Sequence, residues 1–450
     1  MSFSKPTLSF WQIINMNVGF FGIQYSFGLQ QTAINPLYTF LHARPEDLPL
    51  LNLAGPMTGL LIQPIIGAMS DKTWHPKWGR RKPYFLVGAI ICSLALFLFP
   101  FSKALWMAVG LLWILDAGNN TAMEPYRAFI ADKLPVQQRA LGFLTQSFFT
   151  GLGITLANLS LFFFQKVISG ETRTDDGQSG IPYWVFGSFF VGAICSIGSV
   201  LWSTSKTPEI PPTPEELEAL KAQPGGILEP FREIFSAIRD MPAMLWQLAL
   251  VYLFQWYAMF CYWQFISHSI AKSVWKTSSE ADPKLYQEAV GWTGLVNGFY
   301  NIVTFLSAFA LVGLARKYSA KAVHITCLFM AAISLFIIPN IENKYLLFAP
   351  MIGFGIAWAS MMGVPYIMVV NSIPKERYGV YMGIVNMMIV IPMILQTISF
   401  GYVYEHLLGM NPNNAMTFAG ALLLLAALAT FRIKPTSIAE DMVMPTGGGH

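Results

Sequence analysis

An aspartate lies inside one of the most apolar parts of this 450-residue chain, Asp116 in the stretch LLWILDAGNNTAMEPYRAF. An ionisable group at such depth costs about 3 kcal/mol to place in a membrane and is by default functional. Burial favours the neutral, protonated carboxyl, whereas a nearby cation or hydrogen-bond donor favours the charged form. Asp116 therefore has the chemistry of a proton switch. The alternative is that it only hydrogen-bonds a neighbouring helix.

Polar neighbours share a helical face with Asp116. At about 100° per residue, Arg127 lies about 20° and Asn120 about 40° from it around the helix, followed by Asn119 at about 60° and Glu124 at about 80°. One polar stripe is therefore predicted to face the interior. Asp116, Glu124 and Arg127 are the candidate proton-coupling residues, and a static ion pair between the last two stays open beside a mobile role.

Amides and aromatic rings supply the other polar groups within apolar segments. A pyranose ring presents an apolar C–H face and hydroxyl groups that both donate and accept, so these residue types suit a sugar. For each ring the alternative is lipid-facing packing, and for each amide a hydrogen bond between helices. The predicted substrate-binding residues are Gln24, Gln30, Asn119, Asn120, Gln146, Trp256, Gln264, Asn297, Trp358, Asn386 and Gln396.

A second charged group lies in the loop GAMSDKTWHPKWGRRKPY. Gly67 permits close helix approach, and Asp71 can cap a neighbouring helix or pair with an arginine. Breaking such contacts would release one half of the protein from the other. A topogenic role explains the basic residues of the loop but not its Gly and Asp. The predicted gating residues are Gly67, Asp71, Arg80, Arg81, Asp132 and Arg139.

The elements that must position these residues are segments long enough to cross a bilayer. The chain is 54% hydrophobic and 12% charged, against about 25% charged in soluble domains, which excludes a water-exposed globular surface. Segments near the required length of about 20 residues cover 10–32, 48–70, 84–101, 105–131, 140–166, 181–203, 242–272, 288–314, 321–339, 345–371, 378–406 and 415–432. We therefore predict an all-α membrane protein of twelve transmembrane helices.

An internal repeat divides the chain into two six-helix bundles. The Pro-Tyr pair of span four, followed by Asp132, Pro135 and Arg139, recurs in span ten. The second repeat has apolar residues where the first has its coupling candidates, so ion chemistry is expected in the first half. The predicted division is a bundle at 1–203, a partly helical linker at 204–240, a bundle at 241–434 and a tail at 435–450. Parallel halves with a site between them are typical of alternating-access carriers.

Basic residues set the orientation. The loop Asp71–Lys82 holds five of the 28 Lys and Arg, as expected of a cytoplasmic loop. This predicts a multi-pass protein of the cell inner (plasma) membrane with both termini in the cytoplasm. The start MSFSKPTLSFW lacks the pattern of a cleaved signal, so the first span is expected to remain. We expect function as a monomer in the lipid bilayer, with no nucleic-acid partner.

Motifs for catalysis are absent from the sequence, which has no G-x-S-x-G, P-loop, H-E-x-x-H or dinucleotide-binding G-x-G-x-x-G. The four cysteines lie in predicted spans and the six histidines are scattered, so neither a metal site nor a cofactor is expected. An enzyme is therefore not predicted. Without a nucleotide-binding loop, uphill transport draws on an ion gradient, worth about 2.3 kcal/mol per charge per 100 mV. We expect the proton to be the coupling ion.

The pattern G-x-x-x-D-K followed by G-R-R-K is similar to the signature of the major facilitator superfamily. Longer stretches resemble its sucrose–proton symporter group, which includes plant sucrose carriers and related animal and bacterial disaccharide carriers. These stretches are GIQYSFGLQQTAINPLY, QPIIGAMSDKTWHPKWGRRKPY, WILDAGNNTAMEPYRAFIADKLP and GIVNMMIVIPMILQ. The resemblance implies that Asp116, in the family's L-D-x-x-N-N motif, binds the proton beside Asn119 and Asn120. It also relates Arg139 to the family's arginine at the start of the fifth span.

Two stretches depart from the plant pattern. Glu124 to Arg127 replace G-P-C-R, and FISHSIAKSVW replaces the acidic F-D-T-D-W-M-G stretch after span seven. Residues and resemblance together predict a proton-coupled symporter that imports a disaccharide, namely maltose, sucrose or a related glucoside. The alternatives are a sodium-coupled or uncoupled glycoside carrier, an exporter of an amphiphile, and a non-transporting sugar sensor on the same scaffold.

Overall fold

Twelve long helices make up most of the computed structural model, which describes residues 6–168, 180–211, 215, 218, 235–370, 372 and 378–434. In chain order they are α1 Phe10–Phe40, α2 Ala54–Lys72, α3 Lys82–Leu98, α4 Leu105–Lys133, α5 Val136–Val167, α6 Tyr183–Lys206, α7 Ala243–Val274, α8 Pro283–Tyr318, α9 Ala320–Ile337, α10 Phe348–Val370, α11 Tyr378–His406 and α12 Pro412–Thr430. The prediction of an all-α protein with twelve helices is confirmed.

The first two helices differ from their predicted spans. α1 continues through Pro36 to Phe40, beyond the expected end at 32, because neighbouring helices can satisfy the backbone groups that a proline frees. The second span was expected to start at 48, but Leu48–Leu51 forms a separate short helix with proline in its first turn. These changes carry the end of α1 into contact with the second half of the chain.

Hydropathy separates the helices into two groups. Within the described residues, eight are long and apolar enough to cross a membrane by composition alone, which leaves out α1, α2, α4 and α8. These four helices carry polar side chains that face the protein interior, as the cavity below shows. A helix that lines a polar cavity can be less apolar than one that faces lipid, because only part of its surface meets hydrocarbon.

Packing follows the two halves of the chain. Each half packs mainly on itself, with close contacts of α1 with α5 and α6 and of α3 with α4 in the first half, and of α7 with α12 and of α10 with α8 and α9 in the second. The main contact between the halves joins α5 to α8, and smaller ones join α1 to α7 and α8 and α2 to α11. One buried apolar cluster lies wholly in the second half. Another joins α1 and α6 to Tyr286, Ala289 and Val290 of α8. The predicted linker and tail fall largely outside the described residues, so that division of the chain stays a prediction.

Small residues allow α8 to approach α5. Gly291, Gly294 and Gly298 lie along one face of α8, and a Cβ atom added at Gly294 would come within 2.7 Å of the backbone oxygen of Asn158. Close approach through small residues is a common way for helices to pack in membranes. The α5–α8 contact therefore depends on glycine at position 294.

Successive helices run in opposite directions through the bundle. The start of α1 and the end of α12 consequently lie on the same side, which we call the terminal side, and the other is the opposite side. The buried cluster shared by α1, α6 and α8 lies at the opposite side, because α6 and α8 both begin there.

Candidate functional site

A cavity of about 970 Å³ lies between the two halves. Its size is at the upper end of the range of about 300–1,000 Å³ found for small-molecule sites. In the described part of the chain its lining comes from α1, α2, α4 and α5 of the first half and α7, α8, α10 and α11 of the second. It extends to Phe10 and Arg127 near the terminal side.

Asp116 lines this cavity and is only 3% exposed. The Nε2 atom of Gln30 on α1 donates a hydrogen bond of 2.9 Å to Asp116 Oδ1. On the other side, a Cβ atom added at Gly55 of α2 would lie 3.5 Å from Asp116 Oδ2. The carboxyl is thus enclosed by three helices of the first half and lies in the wall of the cavity. This arrangement suits a group that takes up and releases a proton as the cavity changes its access.

Asn120, one turn after Asp116, is part of a hydrogen-bond network. Its Nδ2 atom donates to Thr58 Oγ1 at 3.0 Å and to the backbone oxygen of Asp116 at 2.9 Å. Its Oδ1 atom accepts from Gln63 Nε2 at 2.6 Å, and Gln63 Oε1 accepts from Asn386 Nδ2 of α11 at 3.3 Å. Gln63 was not among the predicted residues, although its place in a span and its polar type were visible in the sequence.

Asn119 points away from the cavity. It is fully buried, donates to Ser26 Oγ at 2.9 Å and accepts from Cys92 Sγ at 3.1 Å. It therefore joins α4 to α1 and α3. Asn119 follows Asp116 by about 300° around the helix, which places it on the other flank from Asn120. The predicted single stripe is split between the cavity and a helix contact.

Arg127 lines the cavity near the terminal side and is exposed to it. Glu124 lies among the residues whose side chains the structure leaves undescribed, so an ion pair between the two stays a prediction. Gln24 also lines the cavity, whereas the buried Gln146 lies outside its lining.

Three tryptophans of the second half form an aromatic wall. Trp256 and Trp263 of α7 and Trp358 of α10 line the cavity, and the ring of Trp358 lies 5.9 and 5.7 Å from the other two. The near-perpendicular rings have the edge-to-face geometry favoured by aromatic pairs. This wall combines apolar faces with indole N–H groups, a composition that suits the C–H face of a sugar ring. Trp263 was missed by the sequence reasoning.

Two predicted amides support the cavity from behind. Gln264 lines the cavity, and Gln396 Nε2, fully buried, donates to Gln264 Oε1 at 2.8 Å. Asn297 of α8 accepts from Tyr262 at 2.7 Å and donates to Thr32 Oγ1 of α1 at 3.0 Å. Gln396 therefore joins α11 to α7, and Asn297 joins α8 to α1. A hydrogen bond between helices was the alternative to substrate binding that the sequence left open for these amides.

Neutral hydrogen bonds close the opposite side. Trp184 Nε1 of α6 donates to Gln287 Oε1 of α8 at 3.1 Å. His268 Nε2 lies 3.1 Å from Thr39 Oγ1 and 3.2 Å from the hydroxyl of Tyr286. The Trp184–Gln287 and Thr39–His268 contacts link the two halves. The Tyr286 hydroxyl contacts His268 within the second half. The sequence reasoning missed them, because single polar residues near helix ends are indistinguishable from surface positions.

The basic loop is held within the first half. Arg81 is buried and donates through Nε to Asp132 at 2.8 Å and through Nη1 to Ser70 Oγ at 2.6 Å. The carboxylate of Glu209, just after α6, accepts the backbone N–H groups of Arg80, Arg81 and Lys82 at 2.7–2.9 Å. Anions are stabilised at a helix N-terminus, here that of α3.

Glycine is required beside this carboxylate. Gly79 has φ +75°, and a Cβ atom there would lie 2.5 Å from the carboxyl carbon of Glu209. Glu209 was missed because it lies beyond the motif in sequence. The side chains of Gly67, Asp71 and Arg139 are outside those that the structure describes, so the predicted gating role stays a prediction.

The fold and the cavity define a class of protein. Two helical bundles around a central cavity that is closed at one side are the architecture of an alternating-access membrane carrier. A model of the Major Facilitator Superfamily matches residues 16–397, and the chain belongs to this superfamily. The predicted family is confirmed.

Known proteins agree with this assignment. The chain is 24% identical to Sucrose transport protein SUC4 of Arabidopsis thaliana, covering 92% of this chain and 89% of that protein. It is 25% identical to Sucrose transport protein SUT2 of Oryza sativa subsp. indica, covering 91% and 88%. The predicted resemblance to sucrose carriers is confirmed.

Solved structures share the fold. The nucleoside transporter NupG superposes with a TM-score of 0.67 at 14% identity, covering 95% of this chain and 100% of that one. A D-xylose-proton symporter gives a TM-score of 0.62 at 14% identity, covering 96% and 100%. At such identities the likeness concerns the fold alone.

Proposed function

We propose that this protein is a proton-coupled symporter that imports a disaccharide, namely sucrose, maltose or a related glucoside, by alternating access. The observation that carries the proposal is the pairing of two surfaces across one cavity. Asp116 is the one acidic residue among the described residues of the lining, and it faces a space whose other wall holds Trp256, Trp263 and Trp358. The names of the sucrose transport relatives support a sugar as the substrate.

The coupling follows from the position of the carboxyl. Protonated Asp116 is neutral and favours the loaded carrier open to the opposite side. Release of the proton on the terminal side leaves a charged carboxylate in the cavity, weakens sugar binding and resets the carrier. No resident cofactor enters this scheme, in which the proton is the coupling ion.

The orientation proposed for the protein places the terminal side in the cytoplasm. The loop with Lys77, Arg80, Arg81 and Lys82 lies on that side, in accord with the excess of basic residues in cytoplasmic loops. The cavity then opens inward in this structure. We propose a multi-pass protein of the plasma or cell inner membrane that works as a monomer.

Uptake into liposomes tests this function. Purified protein is reconstituted, and labelled sucrose, maltose and glucose are offered with and without an inward proton gradient. We expect accumulation of a disaccharide above the outside concentration only when the gradient is imposed. A sodium requirement, equilibration without accumulation, or binding without flux would instead identify a sodium-coupled carrier, an uncoupled carrier or a sensor.

Asp116→Asn removes the titrating group and keeps its size, and its amide resembles the protonated carboxyl in having both a donor and an acceptor. We expect gradient-driven accumulation to be lost and exchange of labelled for unlabelled sugar to persist, because exchange needs no net proton movement. Glu288→Gln is the matched control, since Glu288 pairs with Lys344 at 3.6 Å outside the cavity lining. Accumulation by Asp116→Asn at the unmodified level would contradict the assignment.

A further inference from the structure

A chain of hydrogen bonds leads from the second half to the surroundings of Asp116. Asn386 Nδ2 on α11 donates to Gln63 Oε1 on α2 at 3.3 Å, and Gln63 Nε2 donates to Asn120 Oδ1 on α4 at 2.6 Å. Asn120 in turn donates to the backbone oxygen of Asp116 at 2.9 Å. All four residues line the cavity.

Helix α2 also approaches the carboxyl directly. Gly55 lies next to Asp116 Oδ2, so a Cβ atom there would be 3.5 Å from that oxygen. Gln63 follows Gly55 by eight residues, which is about 12 Å along a helix. One rigid element thus contacts Asp116 at one point and the second half of the protein at another.

The bonds between the halves lie either at the opposite side or farther into the protein. Those of Trp184 with Gln287 and of Thr39 with His268 close the opposite side, where helix ends meet. Gln63 and Asn386 meet within the cavity, as do Asn35 and the backbone oxygen of Trp263 at 3.4 Å. At 3.3 Å the Gln63–Asn386 bond is longer than most N–H···O bonds. It can therefore open at small cost.

The chemistry of Gln63 fits a connecting role. An amide has both a donor and an acceptor, and here the acceptor binds the second half while the donor binds Asn120. When two halves rotate about a central site, contacts between α2 and α11 must rearrange. Rearrangement at Gln63 would shift α2 and with it the enclosure of the Asp116 carboxyl.

We propose that Gln63 is a positioning residue of the transport cycle, which ties α11 to the enclosure of Asp116 so that rotation of the halves depends on the state of that carboxyl. This inference rests on the proposed proton-coupled function. Gln63 acts through Asn120 and α2, and its loss uncouples the two movements without stopping them.

Gln63→Leu tests the proposal in liposomes with an imposed proton gradient. We expect the accumulation ratio of the transported disaccharide to fall at least fivefold, while sugar exchange stays within about twofold of the unmodified rate. Asn386→Leu should lower the accumulation ratio to the same extent, and the double variant should be no worse than either, because both remove one interaction. Gln63→Asn combined with Asn386→Gln keeps the combined length of the pair and should restore accumulation.

Gln247→Leu is the control, since this amide on α7 accepts from Lys434 at 3.0 Å and lies outside the cavity lining. Unchanged accumulation by Gln63→Leu, beside a working unmodified carrier, would overturn the inference and leave the function standing. If Gln63→Leu loses sugar exchange and accumulation equally, and Gln63→Asn combined with Asn386→Gln does not restore them, the role of Gln63 is merely structural. That result would also overturn the inference. If the unmodified carrier itself shows no gradient-driven accumulation, the proposed function fails and the inference falls with it.

Discussion

At the scale of single residues, the cavity divides its chemistry between the two halves. The first half supplies Asp116 with Gln30 and Asn120 beside it, and the second supplies the three-tryptophan wall and Gln264. A carboxyl that changes its charge and rings that stay neutral can perform separate tasks. Proton handling and sugar recognition are thus expected to respond to different substitutions.

Trp358→Ala should weaken sugar binding while leaving coupling intact. The ring of Trp358 contacts both other indoles of the wall, so its removal takes away stacking surface and loosens its neighbours. We expect the dissociation constant for the disaccharide to rise about tenfold, which corresponds to ~1.4 kcal/mol. Equilibrium binding of labelled sugar measures this change.

Trp246→Ala is the control for this prediction, because Trp246 is exposed on the outer surface of α7 and lies outside the cavity lining. Equal affinity of the Trp358→Ala variant and the unmodified carrier would show that the wall only packs the helices.

At the scale of helices, location and composition are related but not equivalent. α3, α6, α9 and α12 contribute nothing to the described cavity lining and pass the hydropathy criterion for a membrane span. α1, α2, α4 and α8 line the cavity and do not pass it. The remaining four, α5, α7, α10 and α11, line the cavity and are nevertheless apolar enough to be spans, so lower hydropathy accompanies a place in the cavity wall without being required for it.

Gly294→Leu should open the opposite side of the carrier. The added side chain would meet the backbone of Asn158 and force α5 and α8 apart. Overpacking costs about 1–3 kcal/mol, so the population open to the opposite side should grow about tenfold or more. Labelling of a Thr39→Cys reporter by a membrane-impermeant maleimide from that side measures the shift.

Gly198→Leu provides the comparison, since a Cβ atom at Gly198 meets nothing within 4 Å. The reporter requires Cys195→Ser in the background, because Cys195 is less buried than the other three cysteines. Equal labelling rates in the two leucine variants would contradict a closing role for the α5–α8 contact.

At the scale of the whole molecule, the contacts at the two sides differ. The opposite side is sealed by neutral hydrogen bonds and by an apolar cluster shared between the halves. On the terminal side, the described contacts of the basic loop, including the Arg81–Asp132 ion pair, stay within the first half. The halves are therefore joined at one side and separate around the cavity toward the other.

A crosslink across the opposite side should lock the carrier in this arrangement. Thr39 and His268 lie in contact across the halves, and Thr39→Cys with His268→Cys can be joined by a short, reducible bifunctional reagent. We expect sugar exchange across the membrane to be lost on crosslinking and restored by reduction. Binding of sugar from the terminal side should persist, because the cavity remains open there.

Each single cysteine variant treated with the same reagent controls for modification without a crosslink. Undiminished exchange by fully crosslinked protein would mean that the opposite side need not open during transport.

Sequence alone determined the features that are local properties of the chain. Twelve apolar segments, a carboxyl at Asp116 within one of them and the motif around the basic loop identified the architecture and the superfamily. Hydropathy and motif spacing can be obtained from the sequence alone, because neither depends on which helices are neighbours. Helix ends were less accurate, as α1 shows, because a proline that neighbouring helices accommodate does not end a helix in a membrane.

Only the tertiary structure decided what each polar side chain faces. Asn119 and Asn120 are adjacent in sequence, yet one joins three helices and the other lines the cavity. Gln63 and Glu209 acquired their partners from residues more than 50 positions away. The rotation and tilt of each helix depend on its packing against others, and helical periodicity relates residues only within one helix.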